Sequence, residues 1–340
     1  MSDLPILPTT VVGSHAKPGW WHACKDLHGE GTWGPYDLEE LLNDAVDIAI
    51  LDQERAGLDI ITDGESRRLD GYVDGYYRII EGIRPLPMAR QAGPWGYDQQ
   101  TRYEATGKIQ APEGLGIVQE FEYLIAHTHK ATKVTCAGPL TFGSRIRPNN
   151  FYQDVAAIAE EFAHVINAEL KGLVNAGARF IQLDEPARSN ISGAEMARLF
   201  NLATDGVEAK LAFHICFGNR FGRARFKRSY SDYFPGALEA RADQFVLEFA
   251  SREMAEIDKW REWHDGRELG AGIIDVKSFH PESPADVAER LRTVLKYADA
   301  DKVYVNPDCG FGWSPRNMAV GKLHALVAGT HLVRQELTGE

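Results

Sequence analysis

Eight short apolar runs, rich in β-branched and aliphatic residues, recur along the chain at residues 7–14, 58–65, 133–139, 179–186, 210–219, 244–251, 269–278 and 302–310. Each stops at a glycine, a proline or a polar group, the pattern of buried strands running into loops. Between them, apolar positions at helical spacing predict helices over about 37–57, 66–82, 116–129, 151–176, 192–208, 282–298 and 315–337. Residues 15–34, with Trp20, Trp21 and Trp33 among glycines and with His15, His22 and His28, read as a long aromatic loop, either a pocket wall or a packed excursion. Residues 84–115 break the rhythm with prolines, glycines and alternating Tyr, Thr and Arg, and predict an inserted β-hairpin. Strands alternating with helices, with no linker between them, predict one domain over residues 1–340, an α/β fold of the (β/α)8 TIM-barrel type.

In such a barrel the chemistry sits at the C-terminal ends of several strands, where the loops form the open face. Ser14, Glu65, Asp184, His214 with Cys216, Glu248, Asp275 and Cys309 all lie at or near strand ends. His214 and Cys216, two apart in an extended run, share a face. Alone, such a pair is more often a buried core cysteine beside a satisfied histidine than a ligand pair. Glu248 interrupts the apolar run Gln244-Phe-Val-Leu-Glu-Phe-Ala-Ser251, and an ionised carboxylate there needs a cation, a metal or a raised pKa. One face collecting a histidine, two cysteines and a glutamate favours a metal site. The donor set suits tetrahedral Zn²⁺ and not the all-oxygen shells of Mg²⁺ or Ca²⁺. Ligands scattered over 214, 216, 248 and 309 differ from closely spaced zinc-finger pairs and suggest a catalytic ion. With two thiolate ligands the ion is a poor Lewis acid for hydrolysis, yet it deprotonates an incoming thiol at neutral pH.

Composition narrows the partners. The chain is 44% hydrophobic and 25% charged, with a net charge of −12 over 340 residues. That balance argues against a sequence-independent nucleic-acid binder and against attraction to an anionic membrane, leaving small molecules. The N-terminal residues lack the pattern of a secretory leader and no run is long enough for a membrane span, so a cytoplasmic location is expected. Four cysteines are too sparse for a disulfide framework. A basic stretch, Arg220, Arg223, Arg225, Lys227 and Arg228, is either a grip for an anionic group or a solvated surface.

Several ordered motifs, Pro8-Thr-Thr-Val-Val-Gly-Ser14, Asp63-Gly-Glu65, Gly138-Pro-Leu-Thr141, Gln182-Leu-Asp-Glu-Pro186, His214-Ile-Cys216 and Asn306-Pro-Asp-Cys-Gly310, resemble the C-terminal catalytic barrel of cobalamin-independent methionine synthases, within the superfamily that also holds uroporphyrinogen decarboxylases. The resemblance covers the whole chain and implies zinc on His214, Cys216, Glu248 and Cys309. It also implies that Ser14, Glu65 and Asp184 hold the amino and carboxylate groups of homocysteine, and that methyl transfer to its sulfur forms methionine. Two departures stand out. The family motif Asp-Ile-His-Ser, whose histidine is implicated in protonating folate, reads Asp275-Val-Lys-Ser278 here, and Gly143-Ser-Arg-Ile146 replaces an Asn-Trp folate-stacking pair. The additional N-terminal barrel of the full-length enzymes, which helps to bind polyglutamylated folate, is also not expected. Asp184, Asp275 and Lys277 thus stand as candidate catalytic groups, and the expected donor is other than polyglutamylated methyltetrahydrofolate, such as methylcobalamin or a corrinoid protein. Two alternatives remain: alkylation of another thiol, as in epoxyalkane:coenzyme M transferases, and a metal-free decarboxylase of the uroporphyrinogen type.

Overall fold

The computed structural model describes residues 4–29, 31–69, 72–87, 91–93, 96–98, 101–186, 190–219, 222–224 and 227–339. Residues 7–13 enter as a buried segment, followed by helices α1 (Gly19–Gly29) and α2 (Pro35–Ala56) and the short strand β1 (Ile60–Ile61). An antiparallel excursion follows: β2 (Glu81–Pro85), the small hairpin β3 (Gln91–Gly93) and β4 (Gly96–Asp98), and β5 (Tyr103–Gln110), which pairs with β2. Then come α3 (Ile117–His127), β6 (Ala131–Thr132), β7 (Val134–Ala137), α4 (Pro139–Gly143), β8 (Ile146–Arg147), α5 (Val155–Asn175), β9 (Phe180–Asp184) and α6 (Gly193–Ala203). The chain closes with β10 (Lys210–Ile215), β11 (Gln244–Glu248), α7 (Trp260–Trp263), β12 (Glu268–Ile274), α8 (Pro284–Val294), β13 (Val303–Pro307) and α9 (Arg316–Thr338).

The result is a mixed α/β fold with parallel sheets. The main sheet runs β13-β12-β11-β10-β9-β7, so that strands successive in the chain lie side by side. Every residue of β7, β9 and β11 is buried, as expected of parallel strands covered on both faces. A second parallel pair joins β1 to β6. The Lys133 N–H donates to Ile61 O at 2.9 Å, continuing that pair into β7. On the other flank Thr9 bridges Val305 of β13, and its carbonyl accepts from the Ile60 N–H at 3.0 Å. Side-chain caps start the helices: Asp154 accepts from Ala157 N–H, Ser192 from Glu195 N–H, and Ser283 from Asp286 N–H.

Two segments depart from the sequence pattern. The helix predicted over 66–82 is reduced to a 3-10 turn, Asp74–Arg78. Its side chains are drawn to the strands and to α4: Arg68 to Glu65 and Thr135 O, Tyr72 to Asp184, and Tyr77 to Phe142 O. These buried polar pairings outweigh local periodicity. Conversely, the expected aromatic loop contains α1, whose Trp21 is buried against Leu41 and Ala45 of α2. Packing therefore accounts for Trp21. The excursion predicted over 84–115 begins earlier, with β2 at Glu81, and its last strand ends at Gln110.

Candidate metal centre

β10 carries His214 at its buried end, with Cys216 just beyond, and β13 runs out through Pro307 and Asp308 to Cys309. One ligand atom from each of His214, Cys216 and Cys309 lies within 4.8 Å of the others. The two sulfurs are 3.9 Å apart, close to the ~3.8 Å that two bonds of ~2.3 Å subtend in a tetrahedral zinc site. The His214 Nδ1 meets Val246 O at 3.0 Å, and Nε2 is buried with no hydrogen-bond partner. A backbone carbonyl that accepts a hydrogen bond from the Nδ1–H fixes the tautomer and leaves the Nε2 lone pair for a metal. The contact between the sulfurs lowers Cys309 well below the ordinary thiol range, against the opposing effect of burial, and raises Cys216. One sulfur of the pair is thus inclined to be a thiolate.

Glu248, at the end of β11, is fully buried and does not enter this group. Its Oε1 accepts from the Phe217 N–H at 3.2 Å and its Oε2 from Lys277 Nζ at 2.6 Å. The cation that a buried carboxylate requires is Lys277. Burial alone would lower the Lys277 ammonium, but the negative charges of Glu248, Asp308 and Cys309, with the hydrogen bond to Glu248, together outweigh it and hold the group above its ordinary range. Lys277 therefore keeps its proton and is a weak general acid. Asp275 accepts from the Lys277 N–H at 2.8 Å and donates its own N–H to Glu282. It shapes the turn that presents Lys277.

Near this group stand Asp184, Glu65 and Ser14. Asp184 closes β9, accepting from Gln182 Nε2 at 2.7 Å and from the Tyr72 hydroxyl at 3.0 Å. Burial, reinforced by the negative charge of Glu65 and opposed by His214, pushes its carboxyl up to about 6. Glu65 accepts from Thr135 Oγ1 at 2.8 Å and pairs with Arg68 at 2.9 Å. Ser14 Oγ accepts from the Gly312 N–H at 3.3 Å, and Ser14 O from the Phe311 N–H at 2.7 Å. A Cβ at Gly310 would stand 2.0 Å from Ser14 Oγ. Glycine there lets the loop after Cys309 lie directly on Ser14.

The strand-end pattern leaves out three supporting residues. Asp308 accepts from the N–H groups of Phe249, Ala250 and Ser251 at 2.9, 2.9 and 2.6 Å, fixing the exit of β11. The Tyr230 hydroxyl donates to Ile215 O and accepts from the Glu248 N–H, stapling β10 to β11 at the level of the site. Lys133, fully buried and lowered to about 7 chiefly by burial, donates to Gln182 Oε1 at 2.7 Å. That contact orients the Gln182 amide so that its Nε2 faces Asp184. Asp308 lies next to Cys309 in the motif and was open to notice, whereas Tyr230 and Lys133 carry no sequence signal. A cleft of about 550 Å³ opens at Lys277, lined also by Asp275, Ser251, Arg223, Lys227 and Arg228. Arg220 and Arg225 of the basic stretch lie outside the described residues.

Fold and site together define an α/β protein in which one imidazole and two cysteine sulfurs, a candidate metal-ligating group, converge at the ends of parallel strands. The chain belongs to the family of cobalamin-independent synthase catalytic domains, whose profile matches residues 7–331. It is 35% identical over 344 residues to a methionine synthase of Saccharolobus solfataricus, covering 99% of this chain and 98% of that one. With a methionine synthase of Sulfolobus acidocaldarius the identity is 36% over 341 residues, covering 99% and 95%. Among solved structures, a B12-independent methionine synthase from Shewanella sp. W3-18-1 in complex with selenomethionine is similar, with a TM-score of 0.84 at 27% identity, covering 98% of this chain and all of that one. Matches this complete leave no room for an additional barrel in these relatives. A family described as cobalamin-independent also corrects the expectation of a methylcobalamin or corrinoid-protein donor. Among the described residues, no helix is long and apolar enough to cross a membrane.

Proposed function

We propose that the protein is a zinc-dependent methyltransferase that forms methionine by methylating the sulfur of homocysteine. The observation that carries this reading is the buried, unpartnered His214 Nε2 set against the sulfurs of Cys216 and Cys309. Two sulfurs and one imidazole nitrogen are the Cys2His donor set of catalytic zinc, which keeps one position open. When bound, zinc would supply the positive charge that keeps an incoming thiol deprotonated at neutral pH. The rest is positioning by the chain. Asp184 and Glu65 are carboxylates suited to the substrate ammonium, while the Ser14 hydroxyl, lying against the 310–312 backbone, suits its carboxylate. Held by both groups on its α-carbon, the substrate would present its sulfur, at the far end of the molecule, toward His214, Cys216 and Cys309, so that methyl transfer proceeds between fixed partners.

Closure of the sheets into the eight-stranded barrel belongs to the same proposal. It is supported by the hydrogen bonds that run from β13 through residues 8–10 to Ile60, and from Ile61 to Lys133. A donor other than polyglutamylated methyltetrahydrofolate is supported by Lys277, whose proton is held by Glu248 and is not offered to a folate nitrogen. The other two readings fit less well. The sulfonate of coenzyme M would meet Asp184 and Glu65, and the many carboxylates of a uroporphyrinogen would meet the same pair. The test uses methyl iodide as an unspecific donor, so that it does not depend on the natural one. Zinc-loaded protein at pH 7 is expected to form methionine from homocysteine faster than buffer or zinc-free protein does, as read by mass spectrometry. Equal rates in all three would refute thiol activation.

A further inference from the structure

We propose that Lys277 withholds Glu248 from the metal, so that His214, Cys216 and Cys309 alone hold the ion and its fourth position stays free for the substrate thiol. The inference rests on the zinc reading above and revises the four-ligand set that the family resemblance implies. Both oxygens of Glu248 already have donors: Phe217 N–H on Oε1 and Lys277 Nζ on Oε2. Side-chain exposures of 0% for Glu248 and 8% for Lys277 mark the pair as buried. For Oε2 to bind the ion, a buried ammonium would have to give up its carboxylate, and separating a buried pair is strongly unfavourable.

The surroundings hold this arrangement in place. The Glu248 backbone is pinned by its N–H on Tyr230, and the residues after it by the three N–H groups on Asp308. On the other side, the Asp275 turn fixes the start of the Lys277 side chain. Charge points the same way. Two thiolates cancel the charge of a divalent ion, and a ligating carboxylate would make the site negative before an anionic thiolate arrives. Paired with Lys277, Glu248 adds no net charge. Lys277 is thus a positioning residue that acts through Glu248.

The test is a double-mutant cycle read by zinc affinity in chelator competition and by homocysteine affinity of the zinc-loaded protein. In the Lys277→Met variant the freed Glu248 becomes a ligand. Zinc affinity is expected to rise about 10- to 100-fold, the scale of changes in groups that orient a metal's ligands, and homocysteine affinity to fall by a similar factor. Glu248→Gln alone strands the Lys277 ammonium beside the site, so the effect of losing the Glu248 carboxylate is read from the double variant. The double variant Lys277→Met/Glu248→Gln, which buries no unpaired charge, should return both affinities to the wild-type range and so separates the ligand exchange from damage to the fold. If the double variant binds zinc 10-fold or more weakly than the wild type, Glu248 is a resident ligand and the proposal fails while the zinc reading stands. If Lys277→Met leaves zinc affinity unchanged, the proposal fails in the same way. Wild-type protein that binds no zinc overturns both.

Discussion

Exchanging Cys309 for serine is expected to strip the protein of zinc and to end methyl transfer. A hydroxyl is a poor ligand beside a thiolate, and only His214 and Cys216 would remain. The loss of zinc affinity should reach at least about 10³-fold, or about 4 kcal/mol at 1.4 kcal/mol per decade. Metal content by mass spectrometry should fall from one equivalent to a trace after dialysis. The fold should survive, because the core is a large apolar interior in which the parallel strands and helices bury one another, unlike a zinc finger whose core depends on its ion. Cooperative thermal unfolding should therefore persist, with the midpoint lowered only by the lost binding energy of the ion. A variant that retained full zinc would show that Cys309 is not a ligand.

Asp184→Asn is expected to move activity and stability in opposite directions. The carboxylate is assigned to the substrate ammonium, and a lost charge-assisted hydrogen bond of about 1.5–3 kcal/mol corresponds to about a 10- to 150-fold rise in the KM for homocysteine. The same carboxyl is raised from its ordinary 3.8 to about 6, mainly by burial. A raised carboxyl costs the fold stability wherever it must ionise. The cost is absent below about pH 4, grows between pH 4 and 6, and is constant above that, at about 3 kcal/mol for a shift of this size. Removing the charge should thus stabilise the protein by up to about that amount at pH 7 and by nothing at pH 4, as urea unfolding would measure. For the wild type, kcat/KM for homocysteine should fall about tenfold per pH unit below pH 6, since only the ionised form binds an ammonium. A stability loss together with unchanged KM would mark Asp184 as structural.

The extent to which the site was legible in sequence follows from what each residue answers to. Strand periodicity and chain order predicted the parallel core, because those apolar runs are buried on both faces and nothing competes with their pattern. His214, Cys216 and Cys309 were legible as thiol and imidazole groups at strand ends. Their convergence to within 4.8 Å depends on β10 and β13 lying at fixed places in one sheet, which no local pattern records. Glu248 was legible as a carboxylate that needed a cation, a metal or a raised pKa. That the cation is Lys277, 29 residues away on the loop after the adjacent strand, follows from the pairing of β11 with β12. The helix expected over 66–82 failed for a related reason. Arg68, Tyr72 and Tyr77 answer to partners across the fold, and those pairings decide the backbone there.

X-ray absorption at the zinc edge, with and without homocysteine, tests the central claim most directly. If His214, Cys216 and Cys309 hold an ion whose fourth position receives the substrate thiol, the spectrum should fit two sulfurs without homocysteine and three with it, the imidazole nitrogen staying in place. A sulfur count unchanged by homocysteine would contradict the account.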